Sequence, residues 1–156
     1  KRISEYRTQH VTVTGGEPLA QRACIQLLEQ LCDEGYQVSL ETSGAIDVAN
    51  VDERVMKIID IKTPASTEED KNRFENLEYI HAHDQIKFVI CNRSDYDWCK
   101  QKLIEFNLTD RCEILFSPEH DSVKPTDLAN WILQDELNVR LQIQLHKYLW
   151  GDTPGH

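Results

Sequence analysis

Polar, turn-forming residues recur in this chain directly after short apolar runs: "TGGEP" (14–18), "ETSG" (41–44), "DIKTP" (60–64), "FSPEH" (116–120) and "QLHK" (144–147). Gly15 and Gly16 carry no Cβ and tolerate positive φ, so backbone N–H and C=O groups there can meet a ligand. Glu17 adds a carboxylate that suits an ammonium group, and Pro18 suits a first helical turn. The same residues would equally make a glycine turn leading into a charged helix start. Glu41 ends its run where alternation would turn it toward a site, and it would serve as well as a solvated rim acid. Ser43 and Gly44 offer a hydroxyl and open backbone. Lys62 ends a third run, where a buried lysine needs a partner, unless its stem snorkels to water. Ser117 and Pro118 close a fifth run in a restrained loop that is also consistent with a plain strand exit.

Other chemistries find less support. Cys24, Cys32, Cys91, Cys99 and Cys112 are odd in number and show neither CxxC nor CxxxC spacing. That pattern fits reduced thiols, most simply buried small apolar residues, rather than a disulfide framework. His81 and His83 alternate as on one strand face, but no third ligand stands at zinc-site spacing. There is no P-loop, GxGxxG or nucleophile elbow. Lys87 stands alone in an apolar run and reads as a snorkelling lysine.

Strands and helices in alternation would position these run ends. "HVTVT" (10–14), "QVSLET" (37–42), "VMKIIDIK" (55–62), "QIKFVI" (85–90), "CEILF" (112–116) and "VRLQIQLH" (139–146) read as strands. A helix is expected over about 20–34, stopped by Gly35. Another is expected after Ser66 or Thr67, one capped by Ser94, and one with Thr126 ahead of Leu128, Trp131 and Ile132. Repeated β–α alternation predicts an α/β fold with a mostly parallel sheet, open or curled into a barrel, whose chemistry gathers at the strand C-termini. With 156 residues and no visible linker or repeat, one domain (1–156) is expected.

The charge balance narrows the partners. Seventeen basic residues against 27 acidic ones give 17 − 27 = −10. That disfavours non-specific binding to nucleic acid or to an anionic membrane. No apolar run approaches the roughly 18–20 residues of a membrane span.

The ordered set of strand ends resembles a known family. "VTGGEP" is similar to the glycine-rich motif of radical S-adenosylmethionine (SAM) enzymes. Together with "ETSG", "DIK", "QIKFVI", "FSP" and "QLHKYLWGDTPG", it resembles the 7-carboxy-7-deazaguanine synthase family over nearly the whole chain, about 10–155. The resemblance implies a partial (β/α) barrel of the radical SAM type. It implies ring contraction of 6-carboxy-5,6,7,8-tetrahydropterin with loss of ammonia, in queuosine and deazapurine biosynthesis, by a carbon–nitrogen lyase. A reduced [4Fe-4S] cluster would cleave SAM to a 5′-deoxyadenosyl radical, with Mg2+ assisting. Thr14 would contact the pterin. Gly15, Gly16, Glu17, Ser43, Asp60, Ile61, Lys62, Ser117 and Pro118 would contact SAM, and Glu41 would be a catalytic polar group near the reacting carbon. Asp60 and Ile61 depart from the family's "SPK" segment, leaving Lys62 as its best match. A reducing partner such as flavodoxin, a homodimer and a cytoplasmic location are also implied.

The family's three cluster cysteines, usually CxxxCxxC, precede the glycine motif, and only ten residues precede Val11 here. The expectation is therefore a chain without the first β/α unit, inactive alone, whose sheet exposes an edge that invites pairing. A non-catalytic SAM- or pterin-binding remnant and a radical SAM enzyme of the activating type stay open as alternatives.

Overall fold

The computed structural model describes residues 3–120, 122–145, 149 and 151. Six strands form its frame: β1 (His10–Val13), β2 (Gln37–Thr42), β3 (Met56–Ile61), β4 (Gln85–Ile90), β5 (Glu113–Pro118) and β6 (Arg140–Leu141). They lie in one sheet in the order β1-β2-β3-β4-β5-β6, and every neighbouring pair is parallel. Sequential order leaves no point where the strand order reverses, so the crevice used by doubly wound sheets has no counterpart. It is the order of a (β/α) barrel, whose functional end is the ring of strand C-termini.

Alternation sorts the side chains onto two faces. Val38, Leu40, Ile59, Ile61, Ile86, Phe88, Ile90, Ile114 and Phe116 are buried in the main core. Helices α1 (Cys24–Asp33), α2 (Arg93–Glu105) and α3 (Pro125–Gln134) cover it with Leu28, Leu31, Tyr96, Leu103, Leu128 and Ile132. Phe88 stands edge-on to Phe116 and Trp98 at centroid distances of 5.7 and 6.3 Å, a favoured aromatic geometry. Lys57 also points to this face. Its charge is matched by Asp84 at 3.0 Å with both side chains almost wholly buried. The opposite face carries Ser39, Glu41, Ile58, Asp60 and Lys87, all reached by water to some degree.

Several local expectations change. The first helix is split. A 3-10 turn (Pro18–Ala20) gives way at Gln21, which is extended, and α1 begins only at Cys24. Gly35 does end this segment with φ +86°. No α-helix follows Ser66 or Thr67. Thr67 has φ +59°, and the stretch folds as 3-10 turns at Pro64–Ser66, Glu69–Lys71 and Phe74–Tyr79. Side chains there bond backbone rather than a helix surface. Asn72 holds both the N–H and C=O of Lys62, and Asn76 donates to the carbonyls of Gly44 and Ile46. Asn92, not Ser94, caps α2, its Oδ1 accepting from the Asp95 N–H at 2.9 Å. Thr126 lies inside α3, which Pro125 opens. His81 and His83 sit in a turn rather than on a strand, with rings stacked at 5.7 Å. Of the sixth run, Arg140–Leu141 pairs with β5, while His146, Lys147, Tyr148, Trp150 and residues 152–156 lie outside the described residues.

Candidate active site

The turn after β1 requires its glycines. Gly15 and Gly16 have φ of +101° and +59°, conformations that L side chains rarely adopt. A Cβ at either would meet nothing within 4 Å, so the space above this turn is open. Gly44 differs. A Cβ there would come 2.7 Å from Ile59 Cγ2, so this glycine also serves packing.

Glu17 ties the turn to the end of β2. Its carboxylate accepts from the Leu19 N–H (3.1 Å), the Thr42 hydroxyl (2.9 Å to each oxygen), the Ser43 N–H (2.8 Å) and the Ser43 hydroxyl (2.6 Å). Burial opposes its ionisation, but the bonds from Ser43, Thr42 and Leu19 outweigh it and hold the carboxyl below its ordinary value. The carboxylate expected to meet a ligand ammonium is thus occupied within the chain, and so are the Ser43 hydroxyl and N–H. Glu17 and Ser43 position the turn.

The polar face converges beside it. Thr14 Oγ1 donates to Glu41 Oε2 at 3.2 Å across the β1–β2 pair, and Thr12 and Ser39 hydroxyls meet at 2.9 Å one row below. Lys62 Nζ reaches Asp60 Oδ2 at 3.0 Å. The other Asp60 oxygen is buried, with no hydrogen-bond partner among the described residues. Thr14, Gly15, Gly16, Glu41, Asp60 and Lys62 line one cavity of about 210 Å³, together with Thr42, Ser43, Ile58 and Lys87.

Besides Glu17, three expected residues lie outside this lining. The Ile61 side chain is in the helix-covered core, 4% exposed, so only its backbone is available to a ligand. Ser117 is buried on β5, its hydroxyl without a hydrogen-bond partner in the described structure. Pro118 lines a second, larger cavity of about 530 Å³ with Glu119, Val123, Lys124 and Gln144. Size does not decide between the two. The smaller one holds the glycine turn, two carboxylates and two ammonium groups, while the Glu119 carboxylate of the larger accepts from Ser122.

Comparison with known proteins shows the family to which this chain belongs. No family model matches the chain. A 7-carboxy-7-deazaguanine synthase from Koribacter versatilis is 43% identical over 154 residues, covering 90% of this chain and 68% of its own length. One from Chlorobaculum tepidum is 40% identical, covering 96% of this chain and 70% of its own. The chain belongs to the 7-carboxy-7-deazaguanine synthase family. The fold agrees with that of the crystal structure of QueE from Escherichia coli, with a TM-score of 0.71 at 22% identity. That match covers 92% of this chain and 59% of the other. Streptococcus suis SuiB bound to S-adenosylmethionine shares the fold more distantly, with a TM-score of 0.59 at 14% identity over 86% of this chain and 38% of its own.

For a member of this synthase family, the cysteines are the informative disagreement. Among the described residues no three His, Cys, Asp or Glu side chains are grouped to hold a metal. All five cysteines are free and at least half-buried. Burial is the leading cause that raises every thiol, Cys112 to about 11. A cluster needs accessible thiolates, so these residues do not fit a [4Fe-4S] site. SAM's polar groups do have counterparts in this chain: the open glycine turn, Asp60 and Lys62 line one cavity.

Lys87, read from the sequence as a snorkelling lysine, lines this cavity as well. Its position opposite in parity to Ile86, Phe88 and Ile90 was the available signal.

Proposed function

We propose that this chain carries the SAM and pterin cradle of a 7-carboxy-7-deazaguanine synthase. The reaction is the ring contraction of 6-carboxy-5,6,7,8-tetrahydropterin to 7-carboxy-7-deazaguanine with loss of ammonia, a carbon–nitrogen lyase step in deazapurine biosynthesis. The observation that carries this reading is the convergence of the ends of β1, β2 and β3 on one cavity, in a chain whose curated relatives bear that name. SAM, when bound, supplies hydrogen-abstracting chemistry in enzymes of this class.

The chain's own residues hold and orient. Backbone groups of Gly15 and Gly16 face the amino-acid end of SAM, and Glu17 fixes their conformation from behind. Asp60 and Lys62 present a paired carboxylate and ammonium to SAM's polar groups. Thr14 faces the pterin, and its bond to Glu41 aims that carboxylate at the reacting carbon. The strand-end residues hold the two molecules in position relative to one another. A flavodoxin-like reductant, a homodimer and a cytoplasmic location complete the proposal.

Product analysis tests it. The protein translated from the gene's own start codon, given SAM, reductant and the tetrahydropterin, should release 7-carboxy-7-deazaguanine and ammonia, read by mass spectrometry. Binding of SAM and pterin without turnover by that protein would favour a non-catalytic binding domain instead.

A further inference from the structure

We infer that Lys87 Nζ binds a ligand carboxylate in the strand-end cavity, that of the SAM amino-acid moiety or the 6-carboxylate of the pterin. This rests on the SAM and pterin reading above. Lys87 lies in the middle of β4, paired in register with Asp60 on one side and Leu115 on the other. Its neighbours Ile86 and Phe88 are fully buried in the core, so alternation sends Lys87 to the opposite face, where it lines the cavity. It is half-buried and forms no hydrogen bond or ion pair among the described residues. The other strand lysine, Lys57, is matched by Asp84 at 3.0 Å, and Lys62 in the same cavity is matched by Asp60 at 3.0 Å.

A cavity-lining ammonium with no protein counter-charge is one that a ligand anion can pair with. At this place, beside the open glycine turn, the missing counter-charge is one that a ligand brings. SAM and the pterin both carry a carboxylate. Glu41 is turned toward Thr14 and the bound Asp60 oxygen toward Lys62, which leaves Lys87 as the cavity cation free to meet an anion.

Isothermal titration of the 156-residue chain with SAM and decarboxylated SAM, and with 6-carboxypterin and pterin, tests this. Each pair differs in whether the carboxylate is present. K87M should raise the Kd of one carboxylate-bearing ligand about 10-fold or more, the loss of a charge-assisted bond, and that of its carboxylate-free counterpart less than about 2-fold. The pair that responds identifies the source. K87R should keep affinity within about 3-fold, and K87Q replaces K87M if the latter does not fold. Equal losses within a pair, no loss in either pair, or a K87R loss as large as that of K87M overturns the proposal. If the wild-type chain binds none of the four ligands, the functional reading itself fails, a result distinct from wild-type binding that ignores Lys87.

Discussion

Glu17 works by accepting from both sides of a gap: the Leu19 N–H ahead of it, and Thr42 and Ser43 on the neighbouring strand end. Glu17→Gln would turn an amide NH2 toward these donors, so the turn should loosen. The expected loss is about 1–3 kcal/mol in urea unfolding, with weaker SAM binding. The pH dependence follows from the lowered carboxyl. Its contribution is full above the ordinary value of 4.5 and fades as pH falls through the lower folded value. The stability gap between wild type and E17Q should therefore close on acidification; a gap that stays constant down to strong acid would show that ionised Glu17 is not the tie. The glycines, Glu17, Glu41 and Lys62 were legible as candidates because their types are unusual at strand ends. The partners of Glu17 were not, since Thr42 and Ser43 are 25 and 26 residues away and meet it only through parallel pairing of β1 with β2. Lys87 was visible as a lone lysine in an apolar run, but its place beside Asp60 was not, because the β3–β4 register sets it.

At the scale of elements, period-2 burial and β-branched residues made the five longer strands readable. The crossover from β3 to β4 was not. "STEEDKNRF" has helix-like charges but no apolar stripe, and Asn72 and Asn76 spend their amides on the backbone of neighbouring loops. The sheet's rigidity therefore depends on the covered face. Phe88 is fully buried between β5 and α2 and contacts Phe116 and Trp98 edge-on. Phe88→Ala should cost about 3–5 kcal/mol by urea denaturation. A cost under about 1 kcal/mol, typical of a surface substitution, would mean that this layer does not carry the sheet.

For the whole molecule, one parallel sheet presents an apolar face to three helices and, on the other side, a face carrying Ser39, Glu41, Asp60 and Lys87. Among the described residues, no helix is long and apolar enough to cross a membrane. The five thiols, raised by burial and not grouped, give the 156-residue chain no cluster site. Anaerobic reconstitution with iron and sulfide should leave it without the broad visible absorbance of a [4Fe-4S] cluster. A stoichiometric, stable band would contradict that. SAM binding, in contrast, should survive, because the cradle is built from β1 to β4. Amide chemical shifts of the 15N-labelled chain titrated with SAM test this most directly. The account predicts saturable shifts centred on Gly15, Gly16, Ser43, Lys62 and Lys87. No shifts, or shifts confined to the Pro118–Pro125 cavity, would contradict it.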